Sequence, residues 1–64
     1  MPQPQTMPQT AIQPLTGQVR RFGPLGVLYE IEALQDEDMA LIRVIESGES
    51  LSYPIEDILT DPLA

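Results

Sequence analysis

Residues 39–46 limit what this chain can fold into. They read Met-Ala-Leu-Ile-Arg-Val-Ile-Glu, the longest largely apolar run in a chain of 64 residues. The run is short, rich in β-branched side chains and bounded by turn signals, which predicts a central β-strand rather than a helix. Side chains alternate across a strand, so Ala40, Ile42 and Val44 fall on one face. Met39, Leu41 and Ile45 fall on the other, with Arg43 among them. A strand in a one-sided antiparallel sheet is apolar on one face only. This strand is apolar on both, so its second face needs a cover. Phe22, the N-terminal tail or a short helix of the same chain are candidates, and so is another protein.

The flanking segments predict three further strands. Residues 18–22 form a first strand, with Val19 and Arg21 on one face and Arg20 and Phe22 on the other. Gly23-Pro24-Leu25-Gly26 reads as a turn, because proline presets one dihedral and glycine accepts positive φ. Residues 27–33 alternate Val27, Tyr29 and Ile31 with Leu28, Glu30 and Glu32 and form the second strand. Ser47-Gly48 reads as a two-residue hairpin turn, which pairs Val44 with Leu51, Ile42 with Tyr53 and Glu46 with Glu49. A fourth strand covers residues 50–53. Pro54 suits the first position of a short helix, Glu56 and Asp57 suit its N-terminal dipole, and Ile55, Ile58 and Leu59 make its apolar stripe. Asp61-Pro62 stops that helix. The last residues, Pro62-Leu63-Ala64, read as a frayed end.

The expected fold is therefore mainly β. It is a small four-stranded antiparallel meander, an SH3-like barrel or bent sheet, with a short C-terminal helix. Its core is Val27, Tyr29, Ile31, Ala40, Ile42, Val44, Leu51 and Tyr53, plugged by Ile55, Ile58 and Leu59. Residues 17–64 make up this domain. Residues 1–16 hold four of the seven prolines and no charged side chain, which predicts a disordered Pro/Gln-rich tail. Ile12 and Leu15 are the tail's only larger aliphatics, suited to pinning it onto the domain.

Composition removes most chemistry. The chain has no cysteine and no histidine, so disulfides, zinc-thiolate sites and the commonest general base are absent. No catalytic, metal or cofactor residue is assigned. Asp36-Glu37-Asp38 lacks the spacing of a calcium loop and reads as a solvated turn. The net charge is −7, from ten acidic residues against three arginines, which argues against nucleic acid and anionic membrane as partners. No stretch is long and apolar enough to span a bilayer, and the N-terminus lacks a signal-peptide pattern, so the expected location is the cytoplasm. Arg20 and Arg21 are expected to neutralise Glu30 or Glu32 on the neighbouring strand.

A set of short motifs adds to this reading. Phe22-Gly23-Pro24 with Gly26 and Tyr29-Glu30 is followed by Ile42-Arg43-Val44 and Glu46-Ser47-Gly48-Glu49. Tyr53-Pro54, Ile58-Leu59 and Asp61-Pro62 complete the set. In this order and spacing, residues 17–64 resemble a family of short bacterial proteins classed only as a domain of unknown function, with the tail outside the match. The resemblance implies a bacterial, cytosolic setting and a small β-rich fold, and it carries no activity.

A small domain with an uncovered apolar face is expected to be a non-enzymatic protein–protein interaction module, either a homodimer or an accessory subunit. The expected interface is Leu28, Met39, Leu41, Arg43 and Ile45, with Arg43 as a specificity charge. The alternative is an acidic inhibitor or antitoxin-like protein that neutralises a basic protein partner through Asp36, Glu37, Asp38, Glu46, Glu49, Glu56 and Asp57.

Overall fold

A computed structural model describes residues 14–64. Strands β1 (Val19–Arg21), β2 (Leu28–Leu34), β3 (Met39–Val44) and β4 (Ser50–Pro54) form one antiparallel sheet in sequence order, and helix α1 (Ile55–Thr60) follows. This is the predicted meander. The two outermost strands, β1 and β4, do not pair with each other, so the sheet is open rather than a closed barrel.

The β2–β3 ladder pairs Tyr29 with Val44 and Ile31 with Ile42. It then shifts by one residue, so that Ala33 pairs with Leu41 and Leu34 with Ala40. That irregularity is a bulge on β2 at Glu32, of the kind that bends a small sheet. The β3–β4 hairpin differs from the expected register. Ile42 faces Leu51 and Ala40 faces Tyr53. The Val44 N–H donates to the Glu49 carbonyl at 2.8 Å, and the Gly48 N–H donates to the Val44 carbonyl at 2.7 Å. The loop is therefore four residues long, with Gly48 at φ 77° in the left-handed region, where glycine carries no Cβ penalty. The pairing slips by two residues, and since side chains alternate with period two, both faces keep their predicted occupants. The expected Glu46/Glu49 pair is lost, and both side chains are exposed.

Tyr29, Ile31, Ala40, Ile42 and Ile58 are fully buried, with Leu15, Phe22, Tyr53 and Ile55 packed against them. Burying each isoleucine contributes about 1.5–3 kcal/mol. Three expected core residues lie outside. Val27 is 44% exposed because β2 begins one residue later, Leu51 is 39% exposed on the edge strand, and Leu59 is 60% exposed. A helix of six residues presents one side chain squarely to the sheet, and that residue is Ile58.

Both ends of the described chain are tied down. Leu15 packs on the core, the Gln18 N–H donates to its carbonyl, and the Gly17 N–H donates to Ile31. Leu15, one of the two aliphatics expected to pin the tail, thus lies against the core. Ile12 lies outside the described residues. At the other end the chain leaves α1 and runs along the free edge of β1. The Arg21 N–H donates to Pro62, the Ala64 N–H donates to Val19, and Arg20 bridges to Leu63. Residues 62–64 are a fifth, short edge segment rather than a frayed end.

Candidate functional site

The sheet has a helix side and an open side. Ile58 and Ile55 of α1, Phe22 and Leu15 all pack against the core on the helix side. Two of the expected covers for the second face of β3, namely Phe22 and the helix, therefore lie on the opposite side. Residues 1–13 lie outside the described chain.

The register lays out the open face row by row. The Ile45 N–H donates to the Leu28 carbonyl at 3.1 Å, which sets these residues opposite each other at one end. Glu30 faces Arg43 in the next row, with Ser50 beyond. Ala33, Leu41 and Ser52 follow, and Met39 and Pro54 close the far end. All five residues expected at the interface share this face. Leu28, Met39 and Leu41 are half-buried by their neighbours, Arg43 is exposed, and Ile45 is 48% exposed. The face is less apolar than alternation suggested, because a charged triad crosses its middle. Arg43 Nη2 donates to Glu30 Oε1 at 2.7 Å, and Arg43 Nε lies 3.6 Å from Glu32 Oε2.

That triad corrects the expected role of Arg20 and Arg21. Arg43 neutralises Glu30 and Glu32. Arg20 points to the helix side and is 9% exposed. Its Nη1 donates to the carbonyls of Ile58 and Asp61, both at 2.9 Å, while its Nε and Nη2 donate to Gln18 Oε1. α1 has no basic residue in its last turn, so a cation from β1 satisfies the carbonyl end of the helix dipole. Arg21 Nη1 donates to the Gly26 carbonyl at 3.1 Å. All three arginines of the chain are thus engaged internally.

The acidic residues divide accordingly. Glu30 and Glu32 belong to Arg43, and Asp61 serves a tyrosine pair. Asp36, Glu37, Asp38, Glu46, Glu49, Glu56 and Asp57 are all exposed, and among the described residues no ion pair reaches any of them. They do not form one patch. Glu46 and Glu49 sit in the loop after β3. Asp36, Glu37 and Asp38 sit in the loop before it, about 20 Å away along the six-residue strand. The Ile55 N–H donates to the Asp38 carbonyl at 2.8 Å, which brings Glu56 and Asp57 to that same end. Asp36 is occupied in shaping its loop, since its Oδ1 accepts from the N–H groups of Asp38 and Met39. Among the described residues, no three acidic side chains are placed to hold a metal ion together.

Sequence reasoning missed one polar cluster on the helix side. Asp61 Oδ2 accepts from the hydroxyls of Tyr29 at 2.7 Å and Tyr53 at 3.0 Å, and its Oδ1 accepts from the Gly23 N–H at 3.1 Å. The rings of Phe22, Tyr29 and Tyr53 pack with centroids 4.4–5.5 Å apart. Burial, and then the hydrogen bond to the Asp61 carboxylate, push the Tyr53 phenol up to about 12 and the Tyr29 phenol higher still. Both hydroxyls donate to the one carboxylate, so the cluster ties the end of α1 to the sheet. The available signal was that two tyrosines on the core face need a polar partner for their hydroxyls.

Among the described residues, no helix is long and apolar enough to cross a membrane. No curated protein matches the chain. The match to a family's sequence model spans residues 3–64 and so takes in the Pro/Gln-rich segment that the motifs had left outside. The chain belongs to DUF5397, a family of unknown function.

Proposed function

We propose that this protein is a non-enzymatic interaction module that docks onto a partner protein through the open face of its sheet, as an accessory subunit in the bacterial cytoplasm. One observation carries the reading. Leu15, Phe22, Tyr53 and Ile55 all pack against the buried core on the helix side, while Leu28, Leu41 and Ile45 lie on the other face around Arg43, which Glu30 holds in place. Aliphatic side chains supply contact area, and an oriented guanidinium gives direction to the docking. The test is Leu41→Glu. Capture of the partner from the native cytosol should be lost, while circular dichroism and melting temperature stay near those of the parent chain. If Leu41→Glu unfolds the domain, Leu41 belongs to the core and the reading fails.

A second reading is an acidic protein that neutralises a basic partner. It is favoured by the seven exposed carboxylates, which have no cation beside them among the described residues. Association driven by opposite charge falls steeply with salt. A complex with a basic partner that persists unchanged at high salt would remove this reading.

A further inference from the structure

The two edges of the sheet are treated differently. Residues 62–64 cover the edge of β1. No described residue pairs with the outer edge of β4. We infer that β4 is a pairing edge for a second copy of this chain, which joins two sheets into one continuous eight-stranded sheet.

The hydrogen-bond pattern identifies the groups that would pair. Val44 bonds to Glu49 across the hairpin, and Ile55 bonds to Asp38 on the same ladder. Antiparallel pairs alternate between bonded and non-bonded. The backbone groups of Leu51 and Tyr53 therefore turn inward to Ile42 and Ala40. Those of Ser50 and Ser52 turn outward. Natural sheets protect such an edge with charge, proline or a bulge. Residues Ser50–Pro54 carry no charge in a chain of net −7, and the β3–β4 ladder runs without irregularity. Only Pro54 blocks pairing, and it stands at the far end. The two serine side chains lie clear of the edge, with Ser50 Oγ donating to Glu32 at 3.4 Å and Ser52 Oγ donating to Gln35 at 2.8 Å.

A second copy fits this edge in one symmetric register. A two-fold axis through Leu51 sets Ser50 of each chain opposite Ser52 of the other, with a donor facing an acceptor at every position. The two Leu51 residues, each 39% exposed in the single chain, face each other across a non-bonded pair with their Cα atoms about 4.5 Å apart. Glu49 then falls opposite Tyr53, so no carboxylate on the paired strands faces another. The like net charge of the two copies opposes association at long range, so the dimer tightens as salt rises. A basic partner behaves in the opposite way. This inference does not rest on the open-face reading, since the edge and the face are separate surfaces.

Backbone amide exchange, read residue by residue from micromolar to millimolar protein, tests the edge directly. The Ser50 and Ser52 amides should slow by about tenfold or more as the dimer forms, while Leu51 and Tyr53 are already protected in the single chain. Sedimentation should show a dimer that strengthens with salt. Ser52→Pro removes an outward N–H without touching the β3–β4 ladder, and it should remain monomeric with a native circular dichroism spectrum. Exchange at Ser50 and Ser52 that is independent of concentration overturns the inference and leaves the edge to a foreign strand. So does a dimer that Ser52→Pro leaves intact. A dimer broken by Leu41→Glu with Ser50 and Ser52 still unprotected assigns association to the open face instead. If Ser52→Pro does not fold, the exchange data on the parent chain decide alone.

Discussion

Arg20 reaches through the core to Ile58, where its Nη1 meets the last buried carbonyl of α1 at 2.9 Å. The bond couples the first strand to a helix 38 residues later. Replacing Arg20 by methionine keeps the length and apolarity of the stem but leaves the carbonyls of Ile58 and Asp61 and the Gln18 amide oxygen without their donor. The expected cost is about 2–4 kcal/mol, read as a lower urea midpoint. Arg20→Lys should fall between, because an ammonium supplies charge without the planar fork that serves Ile58, Asp61 and Gln18 together.

The Asp61 cluster sets an alkaline limit. Tyr53 has an ordinary phenol value of 10.0, and in the folded chain it is raised to about 12. A group that holds its proton more tightly when folded contributes its full stability below pH 10 and loses it as the pH rises through 12. Stability should therefore fall across that window, and phenolate absorbance should not appear at the ordinary value. Asp61→Asn removes the negative charge beside both hydroxyls. Its Tyr53 should ionise at lower pH than in the parent chain, measured by the same absorbance titration.

Gly26 makes the β1–β2 turn possible through a close approach. A Cβ placed there would collide with the Phe22 carbonyl oxygen, a backbone atom that cannot swing aside. Gly26→Ala should open the turn and disturb the Phe22 ring against Tyr29 and Tyr53. The expected loss is about 1–3 kcal/mol in chemical denaturation. Leu25 in the same turn is 97% exposed, and Leu25→Ser should leave stability within about 0.5 kcal/mol.

The alternation of β3 made the sheet legible, because period two assigns a face from sequence alone. Ala40 and Ile42 are buried and Arg43 is exposed, as the spacing requires. The same periodicity protected the assignment of faces when the hairpin register slipped by two. Loop length was not legible, since Ser47-Gly48 fits a two-residue turn as well as the end of a four-residue one. Arg20 illustrates the limit of local reasoning. Its place beside Phe22 on one face was readable, but its partners lie on an element whose position over the sheet no local pattern specifies. The return of residues 62–64 to the edge of β1 has the same origin, in long-range backbone pairing.

Arg43 separates the two functional readings. Its side chain is 45% exposed and its partner Glu30 is 35% exposed, so the ion pair contributes little to folding. Arg43→Gln should change stability by less than about 1 kcal/mol. Its effect on binding has opposite signs in the two cases. If the open face docks a partner with Arg43 as the orienting charge, the substitution weakens the complex, mainly through faster dissociation. If the protein instead neutralises a basic surface, Arg43→Gln frees Glu30 and Glu32 and strengthens the complex at low salt. Binding kinetics of the parent chain and Arg43→Gln, taken side by side at two salt concentrations, give the sign directly.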